Sequence, residues 1–154
     1  MRGGQFREDD PRDVVEFVDR KLLNRGVATK VFGGSTEGVR IRPSVSHVDR
    51  SQREAVRMLW PRFALYRPRL THGPRCYLSP GEQIPLDGAA ARLAAAGLTM
   101  PCRPDSGTLE LDVSEQLGPA EAVTLAIAVL KAMGAPGPAW EWEPIVAAAT
   151  PSVG

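Results

Sequence analysis

The sequence predicts an α+β fold: a single-domain sandwich of a mostly antiparallel sheet packed against three or four helices. Two segments, Pro11–Arg25 and Pro119–Met133, carry helix start and stop signals around apolar residues at helical spacing. Short runs such as Val39–Arg42 and Thr108–Val113 alternate apolar with charged residues, the period of strands wetted on one side. In chain order the elements read α-β-β-α-(β)-α-β-β-α-β. Hairpins interleaved with helices suit an antiparallel sheet better than a doubly wound parallel one. A chain of 154 residues suits one domain, with an ordered core expected over 10–145 and flexible ends at 1–9 and 147–154.

The first helix takes Asp10 as N-cap and Pro11 as its first residue, and Gly26 ends it. Val14, Phe17, Val18 and Leu22 form its apolar stripe, with acids at its start and bases at its end complementing the helix dipole. Val27–Phe32 and Val39–Arg42 read as a hairpin around Gly33–Gly38. That glycine loop lacks the Lys-Ser/Thr ending of a P-loop and does not lie between a strand and a helix, so it reads as a turn, not a phosphate cradle. A helix from Asp49 or Ser51 to Trp60, with Ala55, Met58 and Leu59 inward, is ended by Pro61. Arg75–Leu78 reads as a strand whose Cys76 and Leu78 share the buried face.

In the second half, Asp87 caps an alanine-rich helix that Gly97 closes. Thr99–Arg103 and Thr108–Val113 flank the turn sequence Pro104-Asp105-Ser106-Gly107. Pro119–Met133 is apolar on all sides but a narrow stripe of Glu121, Thr124 and Lys131, so it belongs in the core, with Leu125 and Val129 buried. Trp140 and Trp142 alternate with Glu141 and Glu143 in a short last strand.

The overall charge of +1 hides a strong asymmetry. Arg40–Arg75 holds nine arginines against two acids, a net of +7, while from Cys76 onward three bases face nine acids, a net of −6. Sixteen arginines against three lysines, with abundant Ala, Gly and Pro, is the bias of GC-rich coding and predicts a high-GC bacterial source. The residues at 1–10 are polar rather than a secretory signal, and no apolar run is long enough to span a bilayer, so a cytoplasmic location and no membrane partner are expected. Cys76 and Cys102 lack metal-ligand spacing and read as buried free thiols.

Several constellations invite a chemical reading. Ser44, Ser46, His47 and Asp49 superficially form catalytic parts, but no G-x-S-x-G is present and a polar loop capping the next helix explains them. With His47 and His72 the sole histidines, a histidine-rich metal site is not expected, and no cofactor motif is found. Glu110 and Asp112 share one strand face; facing Arg40 and Arg42 on a neighbouring strand, they would form a ladder of cross-strand ion pairs. Val39–Pro43 followed by a helix resembles the opening of an acetyltransferase domain, but that family's R/Q-x-x-G-x-G/A loop is absent. Small secretion chaperones and toxin-immunity proteins share the general α-β-β…α pattern, an analogy of pattern alone.

The remaining arginines are interleaved with aromatics, the combination enriched at protein interfaces and in nucleic-acid grooves. The expected surface is Arg50, Arg53, Arg57, Trp60, Arg62, Tyr66, Arg67 and Arg69, with Arg50, Arg53 and Arg57 on one helical face. The sequence therefore reads as a non-enzymatic protein that binds a protein partner or its own copy, without catalytic residues, metal or cofactor. A nucleic-acid-associated protein using the same surface is the second reading, weakened by a pI near 7.8. A small enzyme with an unrecognised site is the third.

Overall fold

The computed structural model describes residues 3–23, 36–68 and 73–146. Among these residues are seven strands: β1 (Gly4–Arg7), β2 (Thr36–Pro43), β3 (Arg62–Tyr66), β4 (Arg75–Ser79), β5 (Cys102–Asp105), β6 (Thr108–Leu111) and β7 (Ala139–Val146). They form one open antiparallel sheet in the order β1-β7-β2-β3-β4-β6-β5. Four α-helices among the described residues accompany it: α1 (Arg12–Phe17), extended by a wider helical stretch over Val18–Leu23, α2 (Arg53–Arg57), α3 (Ala89–Ala95) and α4 (Pro119–Ala132). The α+β sandwich expected from the sequence is the fold observed. No helix among the described residues is long and apolar enough to cross a membrane.

Alternation along the strands puts one set of side chains under the helices. Phe6, Val39, Ile41, Phe63, Leu65, Cys76, Leu78, Leu109, Leu111 and Trp140 pack against Val14, Phe17, Val18, Leu22, Leu93, Val123, Val129, Leu130 and Met133 in one core. Cys76 and Leu78 do share the buried face, and burial pushes the Cys76 thiol up to about 12, which leaves it inert. Both cysteines are free thiols, Cys102 half-buried rather than buried.

In α4, Pro119 occupies the first turn and Gly134, at φ 89°, follows the last. Val129 is fully buried as expected, but Leu125 is half-buried. Leu125 lies four residues after Glu121 and so stacks beside the exposed stripe, whereas Ala122, Ala126, Val129 and Leu130 line the inward side. Leu130→Ala is expected to cost about 2–5 kcal/mol in urea unfolding and Leu125→Ala less than about 2 kcal/mol. Equal losses would mean that α4 is turned differently about its axis.

Other expectations change. Residues 4–7, read as part of a flexible end, form edge strand β1 on β7, because Phe6 reaches the core and Gln5 bonds Glu141. Asp10 does not cap α1; its carboxylate accepts from Arg12 Nε (2.7 Å) and Nη2 (3.0 Å), and Pro11 stands at the cap position. Val27–Phe32, Gly26 and the glycine loop up to Ser35 lie outside the described residues, as do His72 and the segment from Ala147; β2 is flanked by β7 and β3. The β5–β6 hairpin turns at Ser106-Gly107, both at positive φ (49° and 83°), as two-residue hairpin loops of right-handed twist require.

The helix expected over Asp49–Trp60 is a short turn, Arg50–Gln52, leading into five-residue α2. Ala55 is exposed, Met58 is 41% exposed and Leu59 is half-buried, so the expected apolar inward face is missing. The reason is position: α2 borders the sheet side opposite α1 and α4, where its Arg57 meets a carboxylate rather than the core. Its exit is fixed by backbone bonds from Glu82 to Met58 (2.9 Å) and Gln83 to Leu59 (3.3 Å). At Gly81 the backbone passes so near that an added Cβ would lie 2.3 Å from the Leu59 carbonyl oxygen.

Candidate binding face

The sheet side opposite α1 and α4 carries the polar half of the alternation. Register sets its side chains in transverse rows. Glu141 of β7 stands between Gln5 and Arg42 in one row. In the next, Glu143, Arg40, Ala64, Tyr77, Glu110 and Arg103 succeed one another across β7, β2, β3, β4, β6 and β5. A third row pairs Tyr66 with Arg75.

An ion-pair ladder exists here, with partners other than those expected. Arg40 bonds Glu143 at 2.5 Å, and Arg42 bonds Glu141 at 2.7 Å and Glu143 at 3.1 Å. Glu110 instead binds Arg103 at 2.8 Å across the hairpin, and Asp112 is exposed beyond the end of β6. The correction is topological: β3 and β4 separate β2 from β6, while β7 returns from the chain end to lie beside β2. The Trp-Glu-Trp-Glu alternation of β7 matched Arg40-x-Arg42 as well as Glu110-x-Asp112 did, and strand order decided between them.

Glu141 is the centre of this network. Its residue is 5% exposed, and its carboxylate accepts from Arg57 Nε at 2.8 Å, Arg42 Nε at 2.7 Å and Gln5 Nε2 at 3.2 Å. Burial pushes its pKa up, but the hydrogen bonds from Arg57, Arg42 and Gln5 outweigh burial and hold it below the ordinary carboxylate value. Glu143 behaves alike: burial opposes ionisation, and the bond from Arg40 with the charge of Arg42 more than restores it.

Of the expected surface residues, Arg53, Arg57 and Arg67 make internal contacts. Arg53 donates to the carbonyls of Val48 (2.9 Å) and Ser46 (3.3 Å), which orders the loop before α2. Arg57 clamps α2 to Glu141, and that bond raises its pKa. Arg67 donates to the Lys21 carbonyl, joining β3 to the end of the first helical segment. Trp60 is half-buried against the core, Arg50 is exposed, and Arg69 lies outside the described residues. Arg62 and Tyr66 project onto the polar sheet face. Ser44 and Ser46 bond one another (3.1 Å), and Ser44 also bonds Gln5, in the turn between β2 and α2. They build the turn, as a polar loop would, but neither they nor Asp49 cap the next helix, since no side-chain cap bond forms at its start. Among the described residues no group of three or more His, Cys, Asp or Glu side chains gathers to hold a metal ion.

Arg62 differs from its neighbours. Among the described residues, the one hydrogen bond of its guanidinium is to Met58 Sδ at 3.6 Å. Burial lowers its pKa and the charges of Arg40 and Arg42 lower it further, with Glu54 partly offsetting them. It faces a cleft of about 430 Å³ with Arg40, Arg42, Arg57, Glu54, Glu143 and Ser79. A second hollow of about 380 Å³ shares Arg40, Arg62 and Ser79 and continues over Ala64 to Tyr66, Tyr77 and Arg75. Tyr66 and Tyr77 meet edge to face at 5.6 Å, and the Arg75 guanidinium lies 5.5 Å above the Tyr66 ring. The small Ala64 side chain makes the floor between these groups a groove.

No family model, curated protein or solved structure matches this chain.

Proposed function

We propose that this is a non-enzymatic binding protein whose uncovered sheet face receives an acidic segment of a partner protein. The observation that carries the reading is the charge left over on that face. All eighteen acids of the chain lie within the described residues; on that face Glu141, Glu143 and Glu110 are paired with Arg40, Arg42, Arg57 and Arg103, and Asp105 lines the second hollow. Arg62 remains as a cation beside two tyrosines in an open groove, the composition favoured at interface centres. A partner of stated chemistry follows: carboxylates to meet the arginines, on a polypeptide that lies over Ala64. A second copy bound face to face would bring together two faces that each carry an excess of positive charge, so a different, acidic chain is the better occupant.

The nucleic-acid reading uses the same groove but fits it less well. Arg75 already covers a face of the Tyr66 ring on which a base would stack, and with Glu54, Glu143 and Asp105 lining the same hollows the small net positive charge suits isolated carboxylates better than a continuous run of phosphates. Fluorescence anisotropy with a labelled glutamate-rich peptide and a labelled single-stranded oligonucleotide separates the two. The peptide is expected to bind, more weakly as salt rises, and the Arg62→Glu/Arg75→Glu double variant to lose that binding while remaining folded, as read by circular dichroism. Tighter capture of the oligonucleotide would replace the protein reading with the nucleic-acid one. Sedimentation of the protein alone checks self-association, and a dimer dissociated by the same double variant would make the occupant a second copy.

A further inference from the structure

Within that groove, and resting on the reading just given, we infer that Arg62 and the Ser79 hydroxyl form a subsite for a single carboxylate of the bound acidic segment. The placement of Arg62 is costly without an anion. One register step beyond the Ile41–Phe63 pair, it stands opposite Arg42, and like charges facing across strands destabilise a sheet. Arg42 is neutralised by Glu141 and Glu143, so the uncompensated charge of the pair belongs to Arg62. On its other side, Arg62 is paired in register with Ser79, whose side chain lines both hollows. A planar guanidinium beside a hydroxyl donor matches the two oxygens of a carboxylate.

Local charge selects a monoanion. Around the cleft, Arg40, Arg42, Arg57 and Arg62 face Glu54, Glu141 and Glu143, a net of +1. One carboxylate cancels that charge; a phosphoryl dianion would overshoot it and crowd Glu143 and Glu54. The residues outside the described ones contain no Asp or Glu, so they supply no side-chain carboxylate to the subsite. The anion comes from the partner.

The test compares Arg62→Gln with Arg50→Gln, which removes the same charge from an exposed arginine that lines neither hollow. Against a labelled glutamate-rich peptide, Arg62→Gln is expected to weaken binding about 10-fold, Arg50→Gln less than about 2-fold, and Ser79→Ala about 3-fold, with Arg62→Lys between wild type and Arg62→Gln. Circular dichroism should be unchanged in each and melting not lowered, and Arg62→Gln should melt slightly higher, because Arg62 makes no ion pair among the described residues and its removal relieves the repulsion with Arg42. Equal losses from Arg62→Gln and Arg50→Gln would overturn the subsite while leaving the face as a general acidic-partner surface. A peptide with phosphoserine replacing glutamate, bound more tightly and equally sensitive to Arg62, would overturn the carboxylate assignment. If the wild-type protein binds neither peptide, the subsite and the function proposed above both fall.

Discussion

Trp140→Ala is expected to lower the free energy of unfolding by about 3–5 kcal/mol, as truncation of a large core aromatic does. Trp140 is fully buried in β7, the strand that sits between β1 and β2 and joins the edge of the sheet to its middle. Its ring fills the space beneath the Gly137 turn, where an added Cβ would already stand 3.2 Å from it. Its Nε1 donates to Glu8 Oε1 at 3.2 Å, and Glu8 also accepts from Lys131 at 3.2 Å, so the side chain ties β7 to the segment before α1 and to α4. Truncation opens a cavity and removes one of the two bonds to Glu8. Trp140→Phe keeps most of the ring volume and is expected to cost about half as much. Urea unfolding followed by far-UV circular dichroism reads both; a loss under about 1.5 kcal/mol for Trp140→Ala would place the core away from β7.

Local signals carried by proline and glycine were legible in the sequence, whereas the side-chain caps expected of Asp10 and Asp87 are not made; Pro11 and Gly88 stand at those cap positions. Pro119 and Gly134 bracket α4, Gly97 ends α3, and Ser106-Gly107 turns the β5–β6 hairpin, because each rests on backbone conformations that particular residues favour. The alternation in Val39–Arg42 and Trp140–Glu143 gave correct faces for both strands. It could not give neighbours, since two acidic strands fitted one basic strand equally well and the choice rests on long-range pairing. Strand β1 was missed because a single apolar residue, Phe6, marks it among polar ones, and an edge strand buries little else.

The candidate site was half legible for the same reason. The excess of arginine between Arg40 and Arg75 is plain in the sequence, but which arginines are free depends on where Glu141 and Glu143 lie, about 100 residues away in the chain. Helical periodicity placed Arg53 and Arg57 together on an outward face. In the fold, Arg53 bonds loop carbonyls and Arg57 reaches a buried carboxylate, so reversing their charges would strike the fold before any partner. Among the described arginines that line the polar face, Arg62, next to a proline break and without periodic neighbours, is left with Arg75 outside the ion-pair network.

Glu141→Gln is expected to destabilise the protein by about 3 kcal/mol at neutral pH. The amide keeps the shape of the side chain but removes the negative charge between Arg42 and Arg57, and uncompensated charge in a desolvated network is the costly outcome of breaking such a pair. Arg42 retains Glu143 and Arg57 retains a longer contact to the exposed Glu54 at 3.5 Å, which keeps the loss at the low end of the range for buried pairs. The pH dependence has a definite sign. The folded-state pKa of Glu141 lies below its ordinary value of 4.5, so its stabilising contribution is fully present above pH 4.5 and is lost as pH falls through the folded value. Wild-type stability should therefore decline on acidification below about pH 4.5, and the variant should decline less steeply over that interval because one of the depressed carboxylates is gone. Glu143, depressed in the same direction, keeps the variant's acid limb from becoming flat. Arg57→Gln serves as the companion: it leaves Glu141 paired with Arg42 and Gln5, so it should cost less than Glu141→Gln while freeing α2 from the sheet, read as faster amide hydrogen exchange over Arg53–Arg57. Parallel acid limbs in wild type and Glu141→Gln would show that the carboxylate is not the centre of the polar face, and the charge count that singles out Arg62 would fail with it.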